Sequence, residues 1–115
     1  MAYGKPLTET PLKPAVFHIL LALSRDKMHG LGIADAVEAE TAGEVRLGPG
    51  TLYRSLKEMT EAGIVDRAAD PAGDDPRRKY YRLTPAGSEL LEAEATRLAR
   101  IVEIARNRRV IGDEA

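Results

Sequence analysis

The sequence predicts a mainly α-helical protein with a small β-hairpin and one long C-terminal helix. Three observations lead to this prediction. Apolar residues recur at helical spacing in three segments between residues 14 and 62. Two short β-rich runs follow, separated by a stretch rich in Pro, Gly and Asp, and helical spacing then returns. With 115 residues, the chain has material for one compact core and an appendage, but not for a second core.

The first two predicted helices precede residue 43. Pro14 marks the start of the first, because the fixed φ of proline suits the first helical position. Its apolar stripe carries Val16, Ile19, Leu20 and Leu23, widened by Phe17 and Leu21. The second helix is predicted over residues 29–40, with His29 and Gly30 shaping its start and Gly43 ending it as a C′ glycine. Its inner side is expected to carry Leu31, Ile33, Ala34 and Val37.

The third predicted helix, residues 49–62, follows a short extended piece over residues 44–47. Gly48 and Pro49 open this helix, and Gly63 terminates it. The face expected to be buried carries Leu52, Leu56 and Met59. The face expected to point outward carries Thr51, Arg54, Ser55, Lys57, Glu58 and Glu61. This is the pattern of a half-buried surface helix.

A β-hairpin is predicted next, with strands over residues 64–68 and 79–84. The connection, residues 70–76, is expected to be an exposed loop because its Pro, Gly and Asp residues favour turns. Tyr80 and Tyr81 alternate faces on the second strand, so one is expected to pack inward and the other to face out. The pattern leaves open which of the two is buried.

The last predicted helix begins with Thr84 as N-cap and Pro85 at the first helical position. It runs to about residue 110, which is too far for a core of this size to cover. A stripe at spacings of three and four, typical of a helix-pairing seam, consists of Leu91, Ala95, Leu98, Val102 and Ala105. The predicted divisions are a flexible segment over residues 1–11, a folded unit over 12–84, a pairing helix over 85–110 and a tail over 111–115.

The composition excludes several classes of function. The chain has no cysteine and only two histidines, so it lacks thiolate ligands and disulfides, and no metal site is expected. No glycine-rich phosphate loop or activated nucleophile appears, so we expect no enzyme, no catalytic residue and no cofactor. The first 11 residues contain no apolar stretch for a signal peptide or a membrane span, which predicts a cytoplasmic protein without membrane contact.

The order of the elements is that of a winged helix-turn-helix. Three separated motifs also resemble the PadR-like family of transcriptional regulators: the His29-Gly30 pair, residues 48–56 and residues 78–87. The likeness covers about residues 12–105. It implies a winged-helix DNA-binding domain with one C-terminal dimerisation helix, as in the shorter members, and a repressor released by a small molecule. The chain departs from the family where Gly48 replaces a common serine, and it has no tryptophan to stack planar drugs, as some relatives do.

Positive charge is concentrated in one short segment of this sequence. The net charge is -1, but four basic residues lie close together: Arg77, Arg78, Lys79 and Arg82. A local positive face suffices for phosphate contact, because screening limits electrostatic reach to about 8 Å at physiological salt. In a winged helix, the third helix enters the major groove of double-stranded DNA and the wing follows the backbone. The residues expected to contact DNA are Pro49, Gly50, Thr51, Tyr53, Arg54, Lys57, Arg77, Arg78 and Lys79.

The seam on the last helix and the family resemblance together predict a homodimer on a palindromic operator, with a small-molecule effector at the dimer interface. Two alternatives stay open at this point. One is a winged helix used as a protein-interaction module, and the other is a DNA-binding regulator without an inducer. The basic residues of the third helix and wing favour DNA over a protein partner.

Overall fold

The computed structural model describes residues 6–70, 73 and 78–112. Within these ranges, the elements follow in the order α1 (Pro14–Leu23), β1 (Met28–His29), α2 (Gly30–Glu40), α3 (Pro49–Glu61), β2 (Val65–Ala68), β3 (Tyr80–Leu83) and α4 (Pro85–Asn107). The predicted fold class, mainly α-helical with a small β-wing and one long C-terminal helix, is confirmed. None of these helices has both the length and the apolar character needed to cross a membrane.

The core is built around α1. Its predicted apolar stripe is buried, with Ile19 and Leu20 fully inaccessible to solvent. The helix contacts α2, α3, α4 and β3, so it joins the three-helix unit to the sheet and to the C-terminal helix. The two residues that widen the stripe are less buried: Phe17 is half-buried, and Leu21 stays 37% exposed beside α4.

In the described part of the chain, the sheet has three antiparallel strands with β3 in the centre. Met28 of β1 lies opposite Tyr81, and Val65 of β2 lies opposite Leu83. The extended piece expected over residues 44–47 forms no strand, and the third strand comes instead from Met28–His29. Residues 44–47 are attached to the end of α2 instead, because Thr41 Oγ1 accepts a hydrogen bond from the Val45 N–H at 3.0 Å.

The prediction for α2 was wrong in two details. Leu31 is 63% exposed, because Gly30, Ile33 and Val37 define the buried stripe and Leu31 lies about 100° away from Gly30 around the helix. The left-handed residue after the helix is Ala42, with φ of 52°, and Gly43 follows it with φ of 82°. The Gly43 N–H donates to the Glu38 carbonyl at 2.8 Å, which closes the helix with a Schellman-type bond.

The structure contradicts one expectation for α3 and confirms one for α4. Ser55, expected to face outward, is buried, since it falls on the same helical stripe as Leu52, Leu56 and Met59. The N-cap predicted for α4 is confirmed, because Thr84 Oγ1 accepts a hydrogen bond from the Gly87 N–H at 3.1 Å.

Candidate nucleic-acid interface

Helix α3 has one buried and one exposed face. The buried stripe packs into the core, and those residues of α3 that are predicted to contact DNA all lie on the exposed side. These residues are Pro49, Gly50, Thr51, Tyr53, Arg54 and Lys57. Their exposure leaves their donors and charges available to a ligand in solution.

The beginning of α3 is open. Gly48 is the N-cap and has no side chain to bond the first turn, as the sequence predicted. A Cβ built with ideal geometry on Gly48 or Gly50 would meet no other atom within 4 Å. Free backbone N–H groups at a helix start attract anions, so this end of α3 is accessible to a phosphate.

The wing formed by β2 and β3 carries exposed basic residues. Arg78 and Lys79 lie just before β3 and are exposed, whereas Arg77 lies outside the described residues. Arg82 forms a pair with Asp66 on the neighbouring strand, with Nη2 and Oδ2 3.4 Å apart. The Arg67 guanidinium lies 5.7 Å from the centre of the Tyr81 ring, within the range of a cation–π contact.

A groove of about 660 Å³ separates the exposed face of α3 from the wing and from the start of α2. Among the described residues, four basic side chains and one acidic side chain line it. Its lining consists of His29, Gly30, Leu31, Tyr53, Lys57, Thr60, Glu61, Arg67, Arg78, Lys79 and Tyr81. The groove therefore brings together Tyr53, Lys57, Arg78 and Lys79 from the predicted set, while Pro49, Gly50, Thr51 and Arg54 lie outside its lining.

Sequence reasoning missed Arg67 as a member of this groove. Arg67 lies opposite Tyr81 in the β2–β3 register, and only the pairing of the two strands places it beside α3.

The structure shows which of the two tyrosines on β3 is buried. Tyr81 is 7% exposed and packs into the core, whereas Tyr80 is half-buried against the His29 ring at 5.4 Å between centroids.

His29 has a structural role at the edge of the groove. It is the N-cap of α2, and its Nδ1 accepts a hydrogen bond from the Gly32 N–H at 3.1 Å. The expectation that His29 shapes the start of the second helix is confirmed. No group of three or more potential metal ligands lies close together in the described part of the chain.

The predicted pairing stripe on α4 divides into two parts. Leu91 is buried in the protein's own core, and Leu98 and Ala105 are half-buried. Ala95 is exposed, and Val102 is 38% exposed. Farther along the helix, the flanking Ile101 and Ile104 are 49% and 55% exposed. The second half of α4 thus presents apolar side chains that its own domain does not cover.

A buried carboxylate at the middle of α4 was not anticipated. Glu94 is 2% exposed, and its Oε2 accepts a hydrogen bond from the Leu12 N–H at 2.8 Å. Arg97 binds both oxygens, with Nε 2.6 Å from Oε1 and Nη2 3.1 Å from Oε2. The hydrogen bond to Glu94 raises the pKa of Arg97 above its ordinary value. This carboxylate therefore fastens the segment before α1 to α4.

Replacing Glu94 with glutamine is expected to lower the free energy of unfolding by about 1 to 2 kcal/mol, because the charge-assisted bonds to Leu12 and Arg97 weaken. Urea denaturation followed by circular dichroism measures the change. Glu58→Gln, at an exposed position on α3, serves as the control and is expected to have no measurable effect. Equal stability of the two variants would contradict a fastening role for Glu94.

Together, the three-helix core, the antiparallel hairpin and the exposed face of α3 define a winged-helix domain of the class found in transcriptional regulators. The sequence model of the transcriptional regulator PadR-like family matches residues 19–93. The chain belongs to the PadR-like family of transcriptional regulators, which confirms the predicted family and the prediction that the protein is not an enzyme.

The curated relatives that the chain matches are longer than the chain. An uncharacterized 37.1 kDa protein in transposon Tn4556 of Streptomyces fradiae is 40% identical over 83 residues, which are 72% of this chain and 22% of that protein. Against the curated relatives that it matches, the chain spans 22% to 39% of their length.

Solved structures share the fold. A PadR family transcription regulator from Clostridium difficile R20291 superposes with a TM-score of 0.69 at 25% identity, covering 86% of this chain and 100% of that one. Bacillus subtilis PadR, solved in complex with operator DNA, gives a TM-score of 0.62 at 22% identity, covering 70% of this chain and 46% of that one.

Proposed function

We propose that the protein is a sequence-specific, DNA-binding repressor that acts as a homodimer on a palindromic operator and responds to a small molecule. The observation that carries the proposal is the exposed face of α3 beside a basic wing. Lys57 of α3 and Arg67, Arg78 and Lys79 of the wing line one groove, in which Glu61 is the one acidic side chain among the described residues. Such a surface suits a phosphate backbone, whereas a winged helix used as a protein-interaction module is expected to carry apolar or acidic residues on this face.

In the proposed complex, α3 enters the major groove and its first turns meet the bases. Arg54 is suited to bind the O6 and N7 atoms of a guanine with its two-pronged guanidinium. Thr51 and Tyr53 offer hydroxyl groups to neighbouring base edges or phosphates. Pro49 and Gly50 present no bulky side chain, so the backbone at the helix start can come close to the duplex.

The wing is proposed to supply affinity more than sequence recognition. Arg78 and Lys79 are exposed on the far side of the groove from α3, and Arg77 belongs to the same proposed set. Cationic side chains along a backbone or in a minor groove release counterions without reading bases strongly. Lys57, which lines the groove on the side of α3, is proposed to contact a phosphate as well. Bacillus subtilis PadR, which was solved with operator DNA and shares the fold, supports DNA as the ligand of this protein.

The division of roles between α3 and the wing is testable with two substitutions. The wild-type protein first selects an operator duplex from a random library. Arg54→Ala is then expected to weaken binding to this duplex by roughly 1 to 3 kcal/mol, with a smaller change on random DNA. Lys79→Ala is expected to weaken binding to both duplexes and to reduce the slope of log K against log salt by about 1. Fluorescence anisotropy measures both. Equal losses on operator and random DNA for Arg54→Ala would contradict base reading by this residue.

The homodimer is proposed to form through α4, along Ala95, Leu98, Val102 and Ala105 of the predicted stripe. Leu91, the first residue of that stripe, packs into the protein's own core and is left out of the proposed seam. The exposed apolar side chains of the second half of α4 support this proposal, because a partner helix would remove them from water. The charges support an antiparallel arrangement. Glu89 and Glu92 are exposed on the first half, whereas Arg100 and Arg108 are exposed toward the other end. Antiparallel helices place these opposite charges side by side.

A small-molecule effector is proposed to bind between the subunits. A groove of about 480 Å³ lies between α1 and the first half of α4, with Leu21, Leu83, Leu91 and Ala95 in its lining. In an antiparallel dimer this groove would face the partner subunit, so a ligand there can favour one spacing of the two α3 helices. A compound that releases labelled operator DNA is expected to bind a monomeric variant more weakly than the dimer. Unchanged affinity for the monomer would contradict a site between the subunits.

A further inference from the structure

The Tyr53 ring of α3 lies directly against Gly30 of α2. A Cβ built with ideal geometry on Gly30 would lie 2.5 Å from Tyr53 Oη and 2.8 Å from both Cε1 and Cζ of the ring. Carbon atoms in favourable contact are about 3.5 to 4.0 Å apart, so an alanine at residue 30 cannot coexist with the ring in this position. The absence of a side chain on Gly30 therefore provides the space that the tyrosine ring occupies.

The ring, and not the backbone, is the part that can yield. Tyr53 is 50% exposed, so its side chain can rotate toward solvent. Gly30 is buried in the first turn of α2, between the N-cap His29 and the rest of the helix. The neighbouring Gly32 is different, because a Cβ there would lie 3.5 Å from the nearest atom of the His29 ring, in ordinary contact.

We propose that Gly30 is a positioning residue for DNA recognition, which holds the Tyr53 ring against α2 at one fixed place on the DNA-facing side of α3. This inference rests on the proposed DNA-binding function of α3. A ring that is fixed before binding loses less conformational freedom when it meets DNA. Its hydroxyl then also has a fixed position in the groove that Tyr53 lines together with Lys57 and the basic residues of the wing. Gly30 would thus influence operator choice without touching a base.

The test compares wild-type protein, Gly30→Ala, Tyr53→Ala and the double variant on the selected operator duplex and on random DNA. Gly30→Ala is expected to weaken operator binding about fivefold, with binding to random DNA changed by less than about twofold. In the Tyr53→Ala background the same substitution is expected to have no effect, because the ring it displaces is gone. Gly32→Ala is the matched control in the same helix and is expected to bind like the wild type.

Three results would overturn the inference: no effect of Gly30→Ala on operator binding, no effect of Tyr53→Ala alone, or equal effects of Gly30→Ala with and without the tyrosine. Failure of the proposed function is distinguishable from these results, because the wild-type protein would then show no preference for the operator. The ring position has a separate readout. In a tyrosine-labelled NMR spectrum, Gly30→Ala is expected to shift the Tyr53 ring signals more than those of Tyr80, and an unshifted Tyr53 would contradict the positioning contact.

Discussion

Replacing Gly87 with alanine is expected to lower the free energy of unfolding by about 3 kcal/mol, and the melting temperature by roughly 10 °C. An ideal Cβ on Gly87 would overlap the Ile64 carbonyl oxygen and would lie 3.0 Å from the carbonyl carbon. The obstacle is backbone, so no side-chain rotation relieves it. The same corner is held by two bonds of Thr84, whose N–H donates to the Ile64 carbonyl at 3.2 Å and whose hydroxyl donates to the Gly63 carbonyl at 2.7 Å.

Urea denaturation followed by circular dichroism at the helix band measures this effect. Gly50→Ala is the control, because it lies inside α3 with open space around the new methyl group. Gly50, like Gly87, lies in the first turn of its helix, and glycine loses more backbone freedom on folding than alanine does, so this variant is expected to be as stable as the wild type or slightly more stable. A Gly87→Ala protein that is as stable as Gly50→Ala would contradict the close packing of α4 on the start of β2.

Replacing Val102 with arginine is expected to convert the proposed dimer to a monomer and to lower operator affinity by about a hundredfold or more. Val102 is 38% exposed and lies on the proposed seam, where an arginine would place an unpaired charge between two apolar helices. Two linked α3 helices bind a palindrome with an effective concentration that separate monomers lack. Sedimentation velocity measures the oligomeric state, and fluorescence anisotropy measures the affinity.

The matched control is Asn107→Arg, which adds the same charge to α4. Residue 107 is exposed and lies about 140° around the helix from Val102, so it is outside the seam. This variant is expected to remain dimeric and to bind operator DNA like the wild type. Full operator affinity in a monomeric Val102→Arg protein would show that pairing through α4 is not needed for recognition.

Local sequence signals predicted much of the fold. The apolar spacing in α1 and α3 identified the buried stripes of both helices, because side chains three and four residues apart share a helix face. The start of α4 was recognisable from Thr84 and Pro85, since an N-cap hydroxyl and an N-terminal proline are local requirements. The wing followed from two β-rich runs around a turn-rich segment.

The faces predicted for Leu31 and Ser55 were wrong because each lies near the boundary of its helix's buried stripe. The other errors occurred where a distant part of the chain decides the structure. The two residues of β1 form a strand only because β3 lies beside them, and a two-residue run has no pattern of its own. Glu94 is polar in sequence, yet the Leu12 N–H and Arg97 make its burial favourable. Arg67 joins the groove through the strand register, which the sequence does not specify by itself. In the candidate interface, α3 was therefore predictable, whereas the contributions of β2 and of Gly30 required the structure.

The most direct test of the account is the binding of the wild-type protein to a duplex it has selected, with random DNA as competitor and with salt varied from about 50 to 200 mM. Recognition by α3 and a basic wing predicts tight binding that random DNA does not displace and that weakens steeply as salt rises. Failure to enrich any sequence from the library, or equal affinity for selected and random duplexes, would contradict sequence-specific recognition by this surface.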